Sequence, residues 1–228
     1  MRTQTLSVWT VSLAFLALGS RPAERSQPPA QLSLDLTTIH AAVLTSARSP
    51  DDSTDAPYLL VSIVGSGGRT EALAFPAGGR WSMRQNEAIT SLSIASISLQ
   101  PGDSVRILFS LLEDHATLPE QFQIATAMTS HRSMLSPPAS QVTAALTPLT
   151  SQGTYWLGSS SVLLTNEGGT TYWSSLDCVT SCTVVQPPAE GGKGAVLENT
   201  APRPATGVVE LTGASGTYHL AVALRRLS

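Results

Sequence analysis

The strongest constraint on the fold is a two-residue alternation of apolar and polar side chains that recurs along most of the chain. The alternating apolar positions include Val105, Ile107, Phe109 and Leu111 near the middle and Tyr218, Leu220, Val222 and Leu224 in the last segment. A period of two places every second side chain on one face of a strand. Turn signals separate about nine or ten such segments, roughly 8–12 residues apart, which predicts an all-β chain folded as an antiparallel β-sandwich.

One region has a weaker alternation. Residues 129–152 are rich in Ser, Thr and Pro, and residues 186–206 contain four Pro and three Gly. These compositions favour exposed loops, so we expect a long loop-rich insertion at about 129–206, before the final strands. Residues 31–228 then form a single sandwich domain that contains this insertion.

Residues 1–19 have the pattern of a secretory signal peptide. Arg2 supplies the positive charge, an apolar run follows from Thr5 to Leu18, and small residues precede Ser20. That run is shorter than the roughly 20 residues of a membrane-spanning helix, although an N-terminal membrane anchor is the alternative. We expect the next segment, 20–30, to be disordered. The sequence thus predicts export to the extracellular space, the periplasm or the cell envelope.

The chain contains two cysteines, Cys178 and Cys182, which lie in the sequence DCVTSC. In an oxidising compartment such a pair is expected to form a disulfide, and two free thiols are the alternative. The spacing does not fit a redox CxxC motif. A zinc site would also need a second pair of Cys or His ligands nearby, and the sequence has none.

Charge and motif content exclude several functions. Charged residues make up 13% of the chain and the net charge is −3, which argues against a nucleic-acid partner bound through phosphates. The sequence contains no GxSxG, HExxH, P-loop or EF-hand motif. A secreted hydrolase therefore has no recognisable nucleophile, base or metal triad, and we expect a non-enzymatic protein.

The acidic residues are few but clustered. Asp51, Asp52 and Asp55 fall within five positions, and a second group comprises Glu113, Asp114 and Glu120. If the two strand ends meet, six carboxylates converge, and a hard cation such as calcium would offset their repulsion. The predicted metal ligands are Asp51, Asp52, Asp55, Asp114 and Glu120. The alternative is that acidic residues simply occupy loops that face water.

Two stretches resemble a C2-type domain, the β-sandwich family known for binding calcium and phospholipid. In the first, residues 36–65, TDAPYLLVSI is similar to the family's Asp-Pro-Tyr motif at the start of a strand, with Ala56 inserted. In the second, residues 99–122, a Gly-Asp turn, a long strand and an acidic loop follow in order. The resemblance covers about residues 32–128 and the last strand. It implies calcium-assisted binding at loops, with Asp55 as the motif residue and Asp114 and Glu120 as third-loop ligands.

Aromatic residues are the remaining candidates for binding. Trp81 lies between Arg80 and Arg84, while Trp156 and Trp173 each follow a tyrosine. Exposed rings of this kind would offer flat faces to a sugar or a protein, and the alternative is that they fill the core. We therefore expect a secreted recognition module whose partner is a protein, a glycan or a membrane surface. A structural or assembly protein of the cell envelope is the alternative, and a secreted hydrolase is a second one.

Overall fold

The alternating segments form β-strands. The computed structural model describes residues 12–13, 27–45, 54–66, 70–77, 79–113, 155–187, 195–197, 205–213 and 216–227. Within those ranges the chain contains no helix. The strands are β1 (Ser12–Leu13), β2 (Ala30–Val43), β3 (Thr54–Asp55), β4 (Pro57–Gly65), β5 (Thr70–Phe75), β6 (Met83–Arg84), β7 (Ala88–Leu99), β8 (Ser104–Glu113), β9 (Tyr155–Glu167), β10 (Thr170–Thr180), β11 (Cys182–Gln186), β12 (Ala195–Leu197), β13 (Ala205–Leu211) and β14 (Thr217–Leu227).

Two six-stranded sheets form the layers of a β-sandwich, which confirms the predicted fold class. The first sheet has the order β1-β7-β2-β14-β13-β11, and the second has the order β12-β10-β9-β8-β4-β5. Apart from the two-residue β1, which runs parallel to β7, every pair in these sheets is antiparallel. A separate two-stranded pairing joins β3 to β6.

The core lies between the inner faces of the two sheets. Alternate residues of β2 and β14 point inward from the first sheet, and alternate residues of β4 and β8 point inward from the second. Each fully buried aliphatic side chain of this kind contributes about 1.5–3 kcal/mol to folding. The alternation visible in the sequence therefore selects which face of each strand packs in the core.

The two ends of the sandwich differ. At one end, here called the turn end, β4 turns into β5, β7 into β8, and β9 into β10 through Gly168 and Gly169. Both glycines have positive φ angles of 58° and 85°, as a two-residue hairpin turn requires. At the opposite end, here called the loop end, β2 and β8 finish and β4, β9 and β14 begin. Connections 44–53, 76–87 and 114–154 start and finish there.

The expected insertion at 129–206 needs revision, because residues 155–187 belong to the sandwich itself. β9 and β10 are the third and second strands of the second sheet. Their alternation is weak because serines occupy buried positions: Ser110 Oγ and Ser159 Oγ form a hydrogen bond of 2.6 Å across β8 and β9. A hydroxyl whose hydrogen-bonding capacity is satisfied can take the place of an apolar side chain in a core. Residues 129–154 lie outside the described residues.

Candidate functional site at the loop end

Two of the acidic residues in the predicted segments, Asp55 and Glu113, are described, and both lie at the loop end. Asp55 in β3 pairs with Met83 of β6, and Glu113 is the last residue of β8. Glu113 lies opposite Pro57 on one side and Tyr155 on the other. The short strand β3 thus brings its carboxylate to the end of the second sheet.

Thr45, just beyond the end of β2, joins the two carboxylates. Its hydroxyl oxygen lies 3.1 Å from Asp55 Oδ1 and within hydrogen-bonding distance of Glu113 Oε2. Its backbone N–H also donates to Asp55 Oδ2 over 2.9 Å. Gly216 packs against this threonine so closely that a Cβ atom would lie 2.9 Å from Thr45 Cγ2. A side chain at position 216 would therefore force Thr45 to shift.

Tyr218 completes the network from the first sheet. Its hydroxyl donates to Asp55 Oδ2, and its ring is fully buried in the core. Tyr218, Thr45, Asp55 and Glu113 are all buried. The network therefore ties the first sheet, through β2 and β14, to β3 and to the end of β8 in the second sheet.

The hydrogen count of this network is unbalanced. A threonine hydroxyl carries one hydrogen and can donate to one acceptor only. It therefore donates to only one of the Asp55 and Glu113 oxygens that it contacts, and the two carboxylates compete for that hydrogen. Two carboxylates that contact one hydroxyl are thus the chemical feature of the loop end.

The structure tests the predicted metal ligands only in part. Asp51, Asp52, Asp114 and Glu120 lie outside the described residues. Asp55 is described, and its two oxygens accept hydrogen bonds from Thr45 and Tyr218. Among the described residues, no group of three or more His, Cys, Asp or Glu side chains is placed to hold a metal ion.

The Trp81 loop is the second component of the loop end. The backbone N–H of Trp81 donates to the carbonyl of Pro57 over 3.0 Å, and Arg84 pairs with Thr54. Trp81 is half-buried against the core, whereas Arg80 and Arg84 are exposed. The loop therefore places two exposed arginines at the loop end, with Arg84 on the strand β6 that pairs with β3.

Trp173 occupies a different position from the one a binding role requires. It is fully buried in the inter-sheet core, and its indole N–H donates to the carbonyl of Ser175 over 2.9 Å. No ring face is left for a ligand, so the core-filling alternative holds for this residue. Trp156 lies in β9 opposite Leu112 at the loop end, and the structure does not describe its side chain.

The predicted disulfide is confirmed, with a Cα–Cα distance of 5.5 Å between Cys178 and Cys182. It does more than close a local turn, because Cys178 belongs to the second sheet and Cys182 to the first. Ser181, at the corner between them, has a φ of 49°. A Cβ on Gly158, whose φ is 148°, would lie 2.5 Å from the Ser181 carbonyl oxygen. The corner therefore packs tightly onto β9.

Comparisons with known proteins add no family assignment: no protein-family model matches the chain, and no curated protein is significantly similar to it. In the part of the chain that the structure describes, no helix is long and apolar enough to cross a bilayer.

Proposed function

We propose that this protein is an exported, non-enzymatic recognition module that contacts its ligand through the loop end of the sandwich. The observation that carries the proposal is the convergence of connections 44–53, 76–87 and 114–154 at one end, where Thr45 bridges Asp55 and Glu113. Loops presented by a rigid scaffold are where proteins of this architecture commonly bind. The ligand classes that suit this surface are a protein, a glycan or a membrane.

Calcium is part of this proposal, as the resemblance to C2-type domains implies. Asp51 and Asp52 precede Asp55 closely in sequence, and Asp114 follows Glu113 directly. The buried carboxylates already share one hydroxyl, which supports a cation as the compensating charge. Calcium takes six to eight oxygen ligands at about 2.3–2.6 Å and tolerates flexible loops as their source.

Export is the third element of the proposal. A disulfide between Cys178 and Cys182 persists in oxidising compartments and is rare in the cytosol of most cells. The apolar run in residues 1–19 has the pattern of a signal peptide that directs export to such a compartment. The disulfide supports the location independently of the N-terminal pattern.

Thermal unfolding of the purified full chain with and without calcium tests the metal component. Calcium at about 100 times its dissociation constant would stabilise the native state by about 2.7 kcal/mol, which raises the Tm of a chain this size by about 5–10 °C. The variant Asp114→Asn should lose most of that rise. Asp103→Asn, at the turn end, is the matched control and should keep it. No shift in the unsubstituted protein contradicts the calcium proposal.

Binding to glycan arrays and to phosphatidylserine vesicles tests the recognition component. We expect Trp81→Ala and Arg84→Ala to weaken whatever binding the unsubstituted protein shows. Arg225→Ala removes an exposed arginine near the turn end and should leave binding unchanged. Equal loss in all three variants, or binding to neither probe with calcium present, would count against a loop-end recognition site for these ligands.

Assembly through a sheet edge is a second candidate function, supported by β7. Three other strands at or near sheet edges have features that hinder pairing with a strand of another molecule. β5 has the inward-facing Glu71, β11 has an irregular register followed by Pro187, and β12 is only three residues long. β7 has no charged residue, and β1 pairs with only two of its twelve positions. Concentration-dependent light scattering that Ser93→Lys, outside the stretch paired with β1, abolishes would support this candidate.

A further inference from the structure

Two imidazole rings and a carboxylate lie in register across the outer face of the first sheet. His40 of β2 is directly opposite His219 of β14, and His219 is directly opposite Glu210 of β13. Opposite residues of neighbouring antiparallel strands have Cβ atoms about 4.5–5.5 Å apart on one face. His40, His219 and Glu210 therefore form one row of neighbouring side chains, here called the histidine row.

The histidine row faces away from the core. Tyr218 and Leu220, on either side of His219 in the chain, both belong to the cluster between the sheets, so the alternation of the strand turns His219 outward. The side chains of His219 and Glu210 are 40% and 36% exposed, and His40 is partly exposed. A small ion in solution can therefore reach both rings.

Glu210 sets the hydrogen position on His219. The Nε2 atom of His219 lies 3.0 Å from Glu210 Oε2. An ionised carboxylate only accepts hydrogen bonds, so Nε2 carries the hydrogen, and in the neutral ring Nδ1 keeps the lone pair. Metal-bound histidines almost always donate their second N–H to a partner of this kind, which orients the ring and makes it a more basic ligand. His219 already has that partner.

The spacing of the two rings is close to the spacing that one metal ion requires. Nitrogens bound at about 2.0–2.1 Å to a tetrahedral zinc ion place two imidazole centroids roughly 5 Å apart. The centroids of His40 and His219 are 5.7 Å apart, with the ring planes inclined by 39°. Rotation about χ2 of histidine, which is a soft torsion, changes this spacing without moving the strands.

The surroundings of the histidine row favour a cation. On the same face, the next row in register consists of Thr38, Ala221 and Val208, none of which is charged. The carboxylate of Glu210 supplies negative charge beside His219, and a cation bound next to it is attracted.

We propose that His40 and His219 bind one divalent transition-metal ion, with Glu210 as the positioning residue of His219. Imidazole nitrogen suits zinc, copper and nickel, whereas calcium prefers oxygen ligands. Because Glu210 contacts the other nitrogen of His219, the row supplies two protein ligands, in keeping with the lack of a three-ligand group among the described residues. Water fills the remaining positions of the ion. The site uses none of the carboxylates of the calcium proposal.

Calorimetric titration with Zn²⁺ tests the site in the full chain, purified without a polyhistidine tag. Excess Ca²⁺ in the buffer keeps any calcium site filled, so a failure of the calcium proposal does not change the result. We expect His40→Ala and His219→Ala each to weaken Zn²⁺ binding by at least about tenfold, and Glu210→Ala to weaken it by about tenfold. Circular dichroism checks that each variant keeps its strands. Unchanged affinity in His219→Ala overturns the proposal.

The other two histidines of the chain provide the matched control. His115 and His131 lie outside the described residues. A variant with both His115→Ala and His131→Ala should keep the Zn²⁺ affinity that the His40 and His219 variants lose. Loss of affinity in this control alone, or equal affinity in every variant, overturns the proposal.

Nuclear magnetic resonance of the imidazole nitrogens gives a readout without substitutions. Addition of Zn²⁺ to the unsubstituted protein should shift the resonances of His40 and His219, with Nδ1 as the nitrogen of His219 that binds the ion. A response confined to His115 and His131, or no response from any ring, overturns the proposal.

Discussion

Substitutions of Asp55 can separate the effect of its negative charge on stability from the effect of its hydrogen bonds. Asp55 Oδ2 accepts from the backbone N–H of Thr45 and from the hydroxyl of Tyr218, while Oδ1 faces the Thr45 hydroxyl. In Asp55→Asn, the amide oxygen can keep the first two contacts and the amide NH₂ can donate to Thr45 Oγ1. The single Thr45 hydrogen is then available to Glu113, so the variant satisfies the Thr45 and Tyr218 contacts of this pair.

Asp55→Ala should behave in the opposite way. It leaves the hydroxyl of Tyr218 and the N–H of Thr45 buried without their acceptor, and each such orphaned group costs about 1–3 kcal/mol. The total of about 2–6 kcal/mol corresponds to a fall in Tm of roughly 10 °C for a chain of this size. Tyr218→Phe, which removes one hydrogen bond to a carboxylate, should cost about 1.5–3 kcal/mol.

Differential scanning calorimetry without calcium measures the series at neutral pH. The expected order of Tm is Asp55→Asn equal to or above the unsubstituted protein, then Tyr218→Phe, then Asp55→Ala. An Asn variant as unstable as the Ala variant would refute the hydrogen count, because it would show that the carboxylate charge itself is required. In calcium, the Asn variant should lose any stabilisation that the ion gives the unsubstituted protein.

Three further predictions concern the rest of the sandwich. Gly158→Ala should lower the free energy of unfolding by about 3 kcal/mol or more, since a backbone oxygen occupies the space of its Cβ. Gly102→Ala, with open space around it, should lower the free energy of unfolding by only about 1 kcal/mol. Urea unfolding of both variants measures the difference. Replacing both Cys178 and Cys182 by Ser should cost about 2 kcal/mol of unfolding free energy, and a reductant should lower the Tm of the unsubstituted protein but not of that variant. Burial raises the pKa of Glu71, so the native state binds its proton more tightly than the unfolded chain and stability from this group is lost as pH rises through the folded-state pKa. Glu71→Gln should therefore raise the Tm at neutral pH and change it little well below the usual titration range of Glu; an equal rise at both pH values would contradict the reasoning.

Much of the fold could be predicted because period-two alternation directly encodes which face of a strand is buried. It located β8 and β14. It failed for residues 155–167, because β9 uses buried serines, and a count of apolar residues cannot distinguish a satisfied buried hydroxyl from an exposed one.

The site was predictable only as two acidic segments. Asp55 and Glu113 carry the charge that marks them in the sequence, and Thr45 contacts both of them. Thr45 and Tyr218 could not be identified, because nothing local distinguishes a bridging threonine or tyrosine from any other. Their roles arise from β14 packing beside β2, a pairing between residues far apart in the chain.

The position of β14 has a consequence for how the molecule folds. This strand, Thr217–Leu227, fills the place between β2 and β13, so the first sheet has a gap at its centre until two segments far apart in the chain have met. Pairings between such distant segments form slowly.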